Sequence, residues 1–135
     1  MNKNNIQPWM RGVLLLGGAY NLLWFIFLYY FPDSYINWVS EGKLVSSNYM
    51  IFLAIGVGIV GLCMLFSILK PIKYWYLIAI AFVSKLLGGI FVYTIILNGL
   101  YTKKFLFHLL MNDLIWLLPL GIILGNIYNS KKYDQ

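Results

Sequence analysis

The stretch YWYLIAIAFVSKLLGGIFVYTIIL, residues 74–97, decides the fold. It is apolar from end to end except for one lysine near its middle, Lys85. A helix needs about 20 residues to cross a hydrocarbon core of about 30 Å, so this stretch is long enough to span a membrane. Three other runs have the same character, at 13–31, 49–69 and 105–128. Transmembrane β-strands would be about 10 residues long and would alternate in polarity, and these runs do neither. The expected fold is all-α, an integral membrane four-helix bundle with spans at about 13–31, 49–69, 74–97 and 105–128, forming one domain over 1–135.

The rest of the composition agrees. Hydrophobic residues make up 61% of the 135 and charged residues only 10%, with a mean hydropathy of +0.78. Soluble domains carry about 25% charged residues, so a water-soluble monomer is excluded. The length allows a single domain. Cys63 is the only cysteine, which rules out a disulfide scaffold, and inside an apolar run it reads as a small buried hydrophobe. Pro32 and Asp33 end the first run, and Lys70-Pro71-Ile72-Lys73 makes a tight turn between the second and third. Asn98 and Gly99 end the third, and the polar tail from Asn129 is expected to fray. The first run lacks a small-residue cleavage site at Phe31-Pro32-Asp33 and is expected to stay as an anchor.

Ten basic residues against four acidic ones give a formal charge of +6. The cations stand singly or in pairs between apolar runs, a pattern that reflects membrane topology and argues against a nucleic-acid partner. Lys3, Arg11, Lys70, Lys73, Lys131 and Lys132 fall on one side of the expected spans; Lys43, Lys103 and Lys104 fall on the other. Six against three predicts both termini in the cytoplasm. The first connection then lies outside, where Tyr35, Ile36, Trp38 and Val39 suit a short helix at the headgroups. Trp9, Tyr29, Tyr30, Trp38, Tyr49, Tyr74, Trp75, Tyr76, Tyr101 and Tyr128 fall near span ends as an interfacial belt. Gly17-Gly18, Ala54 with Gly58, Gly88-Gly89 and Gly121 with Gly125 supply small residues where helices can approach closely.

A few polar residues do not belong in lipid. A lysine or aspartate at mid-bilayer costs roughly 2.5–3.5 kcal/mol on insertion scales, so such residues need partners and mark functional sites by default. Lys85 lies mid-span, and Asn21 and Asp113 each lie about eight residues into their spans, with Asn112 beside Asp113; at 1.5 Å per residue they share a depth within roughly 6 Å. Lys85 and Asp113 are therefore expected to pair, with Asn21 or Asn112 filling the remaining hydrogen bonds. Tyr20 and Trp24 are four apart, Asp113 and Trp116 three apart, and His108, Asn112 and Trp116 recur every four residues, so each set shares a helix face. Together they predict a cavity with one ion pair, two amides, aromatic walls from Tyr20, Trp24 and Trp116, and space beside Lys85 at Gly88. His108 is expected nearer the outer interface, wetted rather than ligating. A lone histidine offers a haem at most one axial ligand, and no metal-ligand spacing is present, so no cofactor is assigned. A nucleophilic role for Lys85 is disfavoured by the nearby Asp113, and no Ser/His/Asp or Cys/His set is present.

Three short motifs carry a resemblance. Tyr20-Asn21-Leu22-Leu23-Trp24, Lys85-Leu86-Leu87-Gly88 and Asn112-Asp113-Leu114-Ile115-Trp116 are similar to those of a group of small bacterial four-helix membrane proteins. In plan the chain also resembles the DoxX-like four-helix proteins, some of which are linked to membrane oxidoreductase complexes. Ser84 stands before Lys85 where a glycine is the expected neighbour. The resemblance implies a bacterial inner membrane and an important Lys/Asp pair, and supplies no reaction.

The expected function is binding of a small amphiphile, lipid or quinone-like, by Lys85, Asp113, Asn21, Asn112, Tyr20, Trp24, Trp116 and His108. Its rivals are an accessory subunit of a larger membrane complex or homo-oligomer, docking through faces such as those of Gly58 and Gly121, and a small proton-coupled carrier that depends on Asp113. The alternative for the lysine–aspartate pair is a purely structural clasp between two helices.

Overall fold

The computed structural model describes residues 6–42, 49–97 and 103–133, with the side chains of Tyr49, 91–97, Phe105, Leu109 and Tyr133 left aside. All regular structure among these residues is helical. In chain order the elements are α1 (Pro8–Tyr30), α2 (Pro32–Ser40), α3 (Tyr49–Ser67), α4 (Trp75–Leu97), α5 (Lys103–Leu109), a π-turn (Leu110–Leu114) and α6 (Ile115–Tyr133). Three helical stretches are long and apolar enough to cross a membrane, Pro8–Tyr30, Met50–Ser67 and Leu106–Lys132, the last running through the π-turn. Within α4 the described apolar stretch is Trp75–Ile90. Among the expected aromatic-belt residues, Tyr101 and the Tyr49 side chain lie outside the described residues.

The helix boundaries follow local chemistry. Pro8 opens α1 after an extended Gln7, since a proline at the first helical position gives up an N–H that has no partner anyway. Pro32 stops α1 and opens α2 in the same way, with Asp33 in the first turn beside the positive end of the helix dipole. Glu41 (φ 53°) and Gly42 (φ 78°) turn left-handed and end α2, and the Gly42 N–H donates to the Asn37 carbonyl at 3.1 Å. At the far end of α3, Ser67 Oγ donates to the Met64 carbonyl at 2.6 Å, and a Pro71 turn leads to α4.

Two of these elements differ from the sequence expectation. The first connection is helical, but α2 does not simply lie at a headgroup surface. Tyr35, Ile36 and Val39 are buried against Leu28 of α1 and Met50 and Ala54 of α3, leaving Trp38 exposed. The tail is not frayed at Asn129: α6 continues to Tyr133, and Lys131 Nζ sits 4.5 Å above the Trp75 ring. A cation over an indole face stabilises such a contact by about 0.5–1 kcal/mol when exposed.

The interior has three layers along the bundle axis. One apolar cluster joins Met10 and Leu14 (α1), Met64 (α3), Ile78 and Ala81 (α4) and Leu120 and Ile123 (α6). The cluster around Tyr35 closes the other end. Between them lies a polar layer made by Asn21, Lys85 and Asn112, all buried. The outer surface is strongly apolar, with Leu16, Leu23, Phe52 and Leu118 each at least 66% exposed. An apolar exterior of that extent suits lipid rather than water.

The tightest helix contact is α1 against α3. A Cβ on Gly61 would lie 3.0 Å from the Gly18 carbonyl oxygen and 3.0 Å from Asn21 Cβ, and one on Gly18 would lie 3.0 Å from the Gly61 carbonyl oxygen. Glycine is needed on both sides because main chain meets main chain. Gly58 faces Phe25, Gly89 faces Leu114 and Gly121 faces Phe82, so these glycines also serve contacts within the chain. Gly125, expected in the same role, is exposed with nothing near it.

Among the described residues, most of the exposed basic side chains gather at one end, and Lys103 and Lys104 lie at the other. Arg11, Lys70 and Lys73 line a common groove, and Lys131 over Trp75 lies at the same end of α4. Lys104 pairs with Glu41 at 3.7 Å between α5 and the end of α2. Lys3 and Lys43 lie outside the described residues.

Candidate functional site: a buried lysine beside a pocket

Lys85 projects from α4 into the polar layer and is only 2% exposed. Its ammonium donates to the Asn112 carbonyl oxygen at 2.6 Å and to Asn21 Oδ1 at 3.2 Å, and Asp113 Oδ1 lies 3.6 Å away. The ammonium thus makes two hydrogen bonds and one ion pair, the aspartate lying just beyond hydrogen-bond distance. Asn21 Nδ2 donates to the Gly17 carbonyl at 2.7 Å, one helical turn back, and this bond holds Oδ1 toward the lysine. The close α1–α3 crossing at Gly18 and Gly61 sets the position of Asn21, one turn further along.

The Asn112 carbonyl and the Asp113 carboxylate both come from the π-turn. In an α-helix a main-chain carbonyl accepts from the N–H four residues on; a π-turn widens that ladder by one residue. The side chain of Lys85 enters at this widened turn, a recognised cause of such a departure. Pro119, shortly downstream in α6, weakens the same stretch by removing the N–H that the Ile115 carbonyl would otherwise receive.

The extra residue also explains where the aromatics go. One inserted residue rotates everything after it by roughly 100° about the helix axis. In an unbroken helix Trp116 would project on the side of Asn112 and Asp113. Instead it shares a pocket with Phe107, His108, Met111 and Ile115, together with Tyr20, Trp24 and Trp38. Tyr20 packs on Trp116 at 5.9 Å between ring centroids, and on Trp24 at 6.3 Å. Tyr20, Trp24 and Trp116 therefore wall a second, aromatic pocket and do not line the one that borders the lysine.

That first pocket has a volume of about 310 Å³. Asn21, Ser84, Lys85, Gly88, His108, Asn112 and Asp113 form its polar side, and Leu28, Tyr35, Phe52, Leu53, Val57 and Val60 its apolar side. Asp113 is the more open member of the pair, its side chain 18% exposed against 2% for Lys85. The carboxylate lies over Gly88, where a Cβ would be 3.8 Å from Oδ2, so the glycine leaves space there.

His108 belongs to the wall between the two pockets. It is 7% exposed rather than wetted. Trp24 meets it edge to face at 4.3 Å and Tyr35 at 5.1 Å, and Trp24 meets Tyr35 at 6.0 Å. This three-ring cluster ties α1, α2 and α5 together. Tyr35, brought in by α2, is a lining residue that sequence reasoning missed, as are Ser84 and the apolar residues of α1 and α3; its place in a short connecting segment gave no sign that it turns inward. Asn112 Oδ1 and Trp116 Nε1 are buried without a hydrogen-bond partner.

No group of three His, Cys, Asp or Glu side chains converges as a metal set among the described residues. The chain matches no family model, no curated protein and no solved structure, so its site is read from its own geometry.

Proposed function

We propose that this chain is a four-helix protein of the bacterial cytoplasmic membrane, with both termini inside, that binds a small amphiphile in the pocket beside Lys85. The observation that carries this reading is a charged lysine, 2% exposed, held by three oxygens at the edge of a largely apolar pocket of about 310 Å³. A pair serving only to clasp two helices has no need of such a space, nor of a carboxylate left partly open to it. Ligand pockets of this size are mostly apolar with a few placed polar groups, and a lipid or quinone-like molecule fits that description. Lys85, Asp113, Asn21 and Asn112 form the polar end of the site, and His108 its wall. Tyr20, Trp24 and Trp116 support that wall from the other side. The accessory-subunit alternative draws less support, because Gly58 and Gly121 face Phe25 and Phe82 of the same chain.

Native mass spectrometry on gently extracted protein tests the reading. A small molecule in stoichiometric amount is expected on the wild-type chain. It should be lost from Lys85→Met, which removes the centre of the polar layer. Retention of the same molecule by Lys85→Met would place the binding site elsewhere, and a bound polypeptide instead of a small mass would favour the accessory role.

A further inference from the structure

Resting on that reading, we infer that the pocket receives a neutral hydroxyl group, donated by the amphiphile to Asp113. The polar side of the pocket mixes acceptors and donors: the Asp113 carboxylate accepts, and the Ser84 hydroxyl can donate or accept. Lys85 is 2% exposed, donates to Asn21 and to the Asn112 carbonyl, and is ion-paired with Asp113, which is the more open of the two charges. An anionic headgroup entering here meets the Asp113 carboxylate, the more exposed charge, ahead of the enclosed lysine. A cationic headgroup meets the Lys85 ammonium, which already occupies Asp113 Oδ1. In a low dielectric either ion is costly unless it is fully paired.

One strong acceptor remains open to the pocket. Asp113 has room for further hydrogen bonds, since a carboxylate offers about four lone-pair sites and the lysine takes one oxygen at 3.6 Å. Ser84, exposed at the rim, carries a hydroxyl that accepts as well as donates. A hydroxyl on the ligand is a neutral group that donates to the carboxylate and accepts from Ser84. The exposed residues Phe52, Gly56 and Ser84 form the rim of the pocket on α3 and α4, so an alkyl chain leaves sideways over apolar surface.

The test compares 4-octylphenol with 4-octylanisole, which differ only by methylation of the donor. Binding to the full chain in lipid nanodiscs is measured by native mass spectrometry. A hydrogen bond to a charged acceptor is strong enough that the phenol should bind about tenfold more tightly or better. Octanoate and octylamine should bind more weakly than the phenol. Gly56→Leu provides the control for location: a Cβ there meets nothing within 4 Å, so the fold tolerates it while the mouth of the pocket fills. Phenol binding should fall in that variant with thermal unfolding unchanged. Equal binding of phenol and anisole overturns the hydroxyl inference and leaves the amphiphile reading standing. Preference for octanoate or octylamine overturns the charge argument. Failure of all four to bind overturns the amphiphile reading itself, and with it this inference. Undiminished phenol binding in Gly56→Leu moves the site away from this pocket.

Discussion

At the residue scale, the energetics of the polar layer are asymmetric. Lys85 is enclosed, whereas Asp113 keeps partial contact with the pocket. Removing the aspartate leaves an enclosed cation without its counter-charge, and breaking a buried pair this way costs about 3–5 kcal/mol. Removing both charges at once leaves only shape to repair. Asp113→Leu is therefore expected to lower the thermal unfolding midpoint in detergent sharply, and Lys85→Met combined with Asp113→Leu to recover most of the loss. A double variant no more stable than Asp113→Leu alone would mean that the two charges do not depend on one another. This part of the site was legible in the sequence. Ionisable side chains inside apolar runs are conspicuous, and the fixed rise of a helix converts their positions into depth, which put Asn21, Lys85 and Asp113 at one level. The partner that could not be read is the main-chain carbonyl of Asn112, because main-chain carbonyls carry no sequence signature and this one is presented only by a departure from α-helical geometry.

At the element scale, that departure is the π-turn at Leu110–Leu114. The segment Asn112-Asp113-Leu114-Ile115-Trp116 has ordinary α-helical periodicity, and nothing in its spacing announces an extra residue. Reading it as an unbroken helix puts Trp116 on the face of Asn112 and Asp113, whereas it lines the aromatic pocket with Tyr20 and Trp24. The π-turn itself predicts an outcome. Deleting Leu110 should let the helix close to α-helical pitch, turn Asp113 away from Lys85 and abolish ligand binding, while the apolar spans still insert. Retained binding in the deletion variant would show that the widened turn is not what presents the site. The glycines make a second prediction at this scale. Gly61→Leu forces a side chain into the Gly18 carbonyl, main chain that cannot move aside, and overpacking of this kind costs about 1–3 kcal/mol or more. Gly125→Leu meets open space and should change stability by less than about 0.5 kcal/mol. Thermal unfolding of the two variants side by side checks both. Small-residue spacing misranks these two positions: Gly125 stands four residues after Gly121, whereas Gly61 has Val57 and Leu65 four residues to either side and is not among the expected contact glycines.

At the scale of the whole molecule, the layers and the charges define an axis. The polar layer lies between two apolar clusters, and the two ends of the axis differ in charge. Arg11, Lys70, Lys73 and Lys131 mark one end, while Glu41 and Lys104 neutralise one another at the other. Sequence alone does not tell which connections meet in space. Among the described residues the structure brings Arg11, Lys70, Lys73 and Lys131 of the richer side to one end, and that is the condition under which the counting rule for Lys and Arg acts on a molecule as a unit. The expected orientation puts the Arg11–Lys70–Lys73 end in the cytoplasm and the α2 end outside. Single cysteines test this directly, in a Cys63→Ala background so that no other thiol reports. Glu41→Cys should react with a membrane-impermeant maleimide in intact bacterial cells, since the Glu41 side chain is about half exposed. Lys73→Cys should react only after the cells are permeabilised. Labelling in the reverse order would invert the molecule in the membrane. The pocket would keep its depth in that case, because the polar layer sits between the two ends and the lysine's partners are fixed by the fold rather than by the direction of insertion.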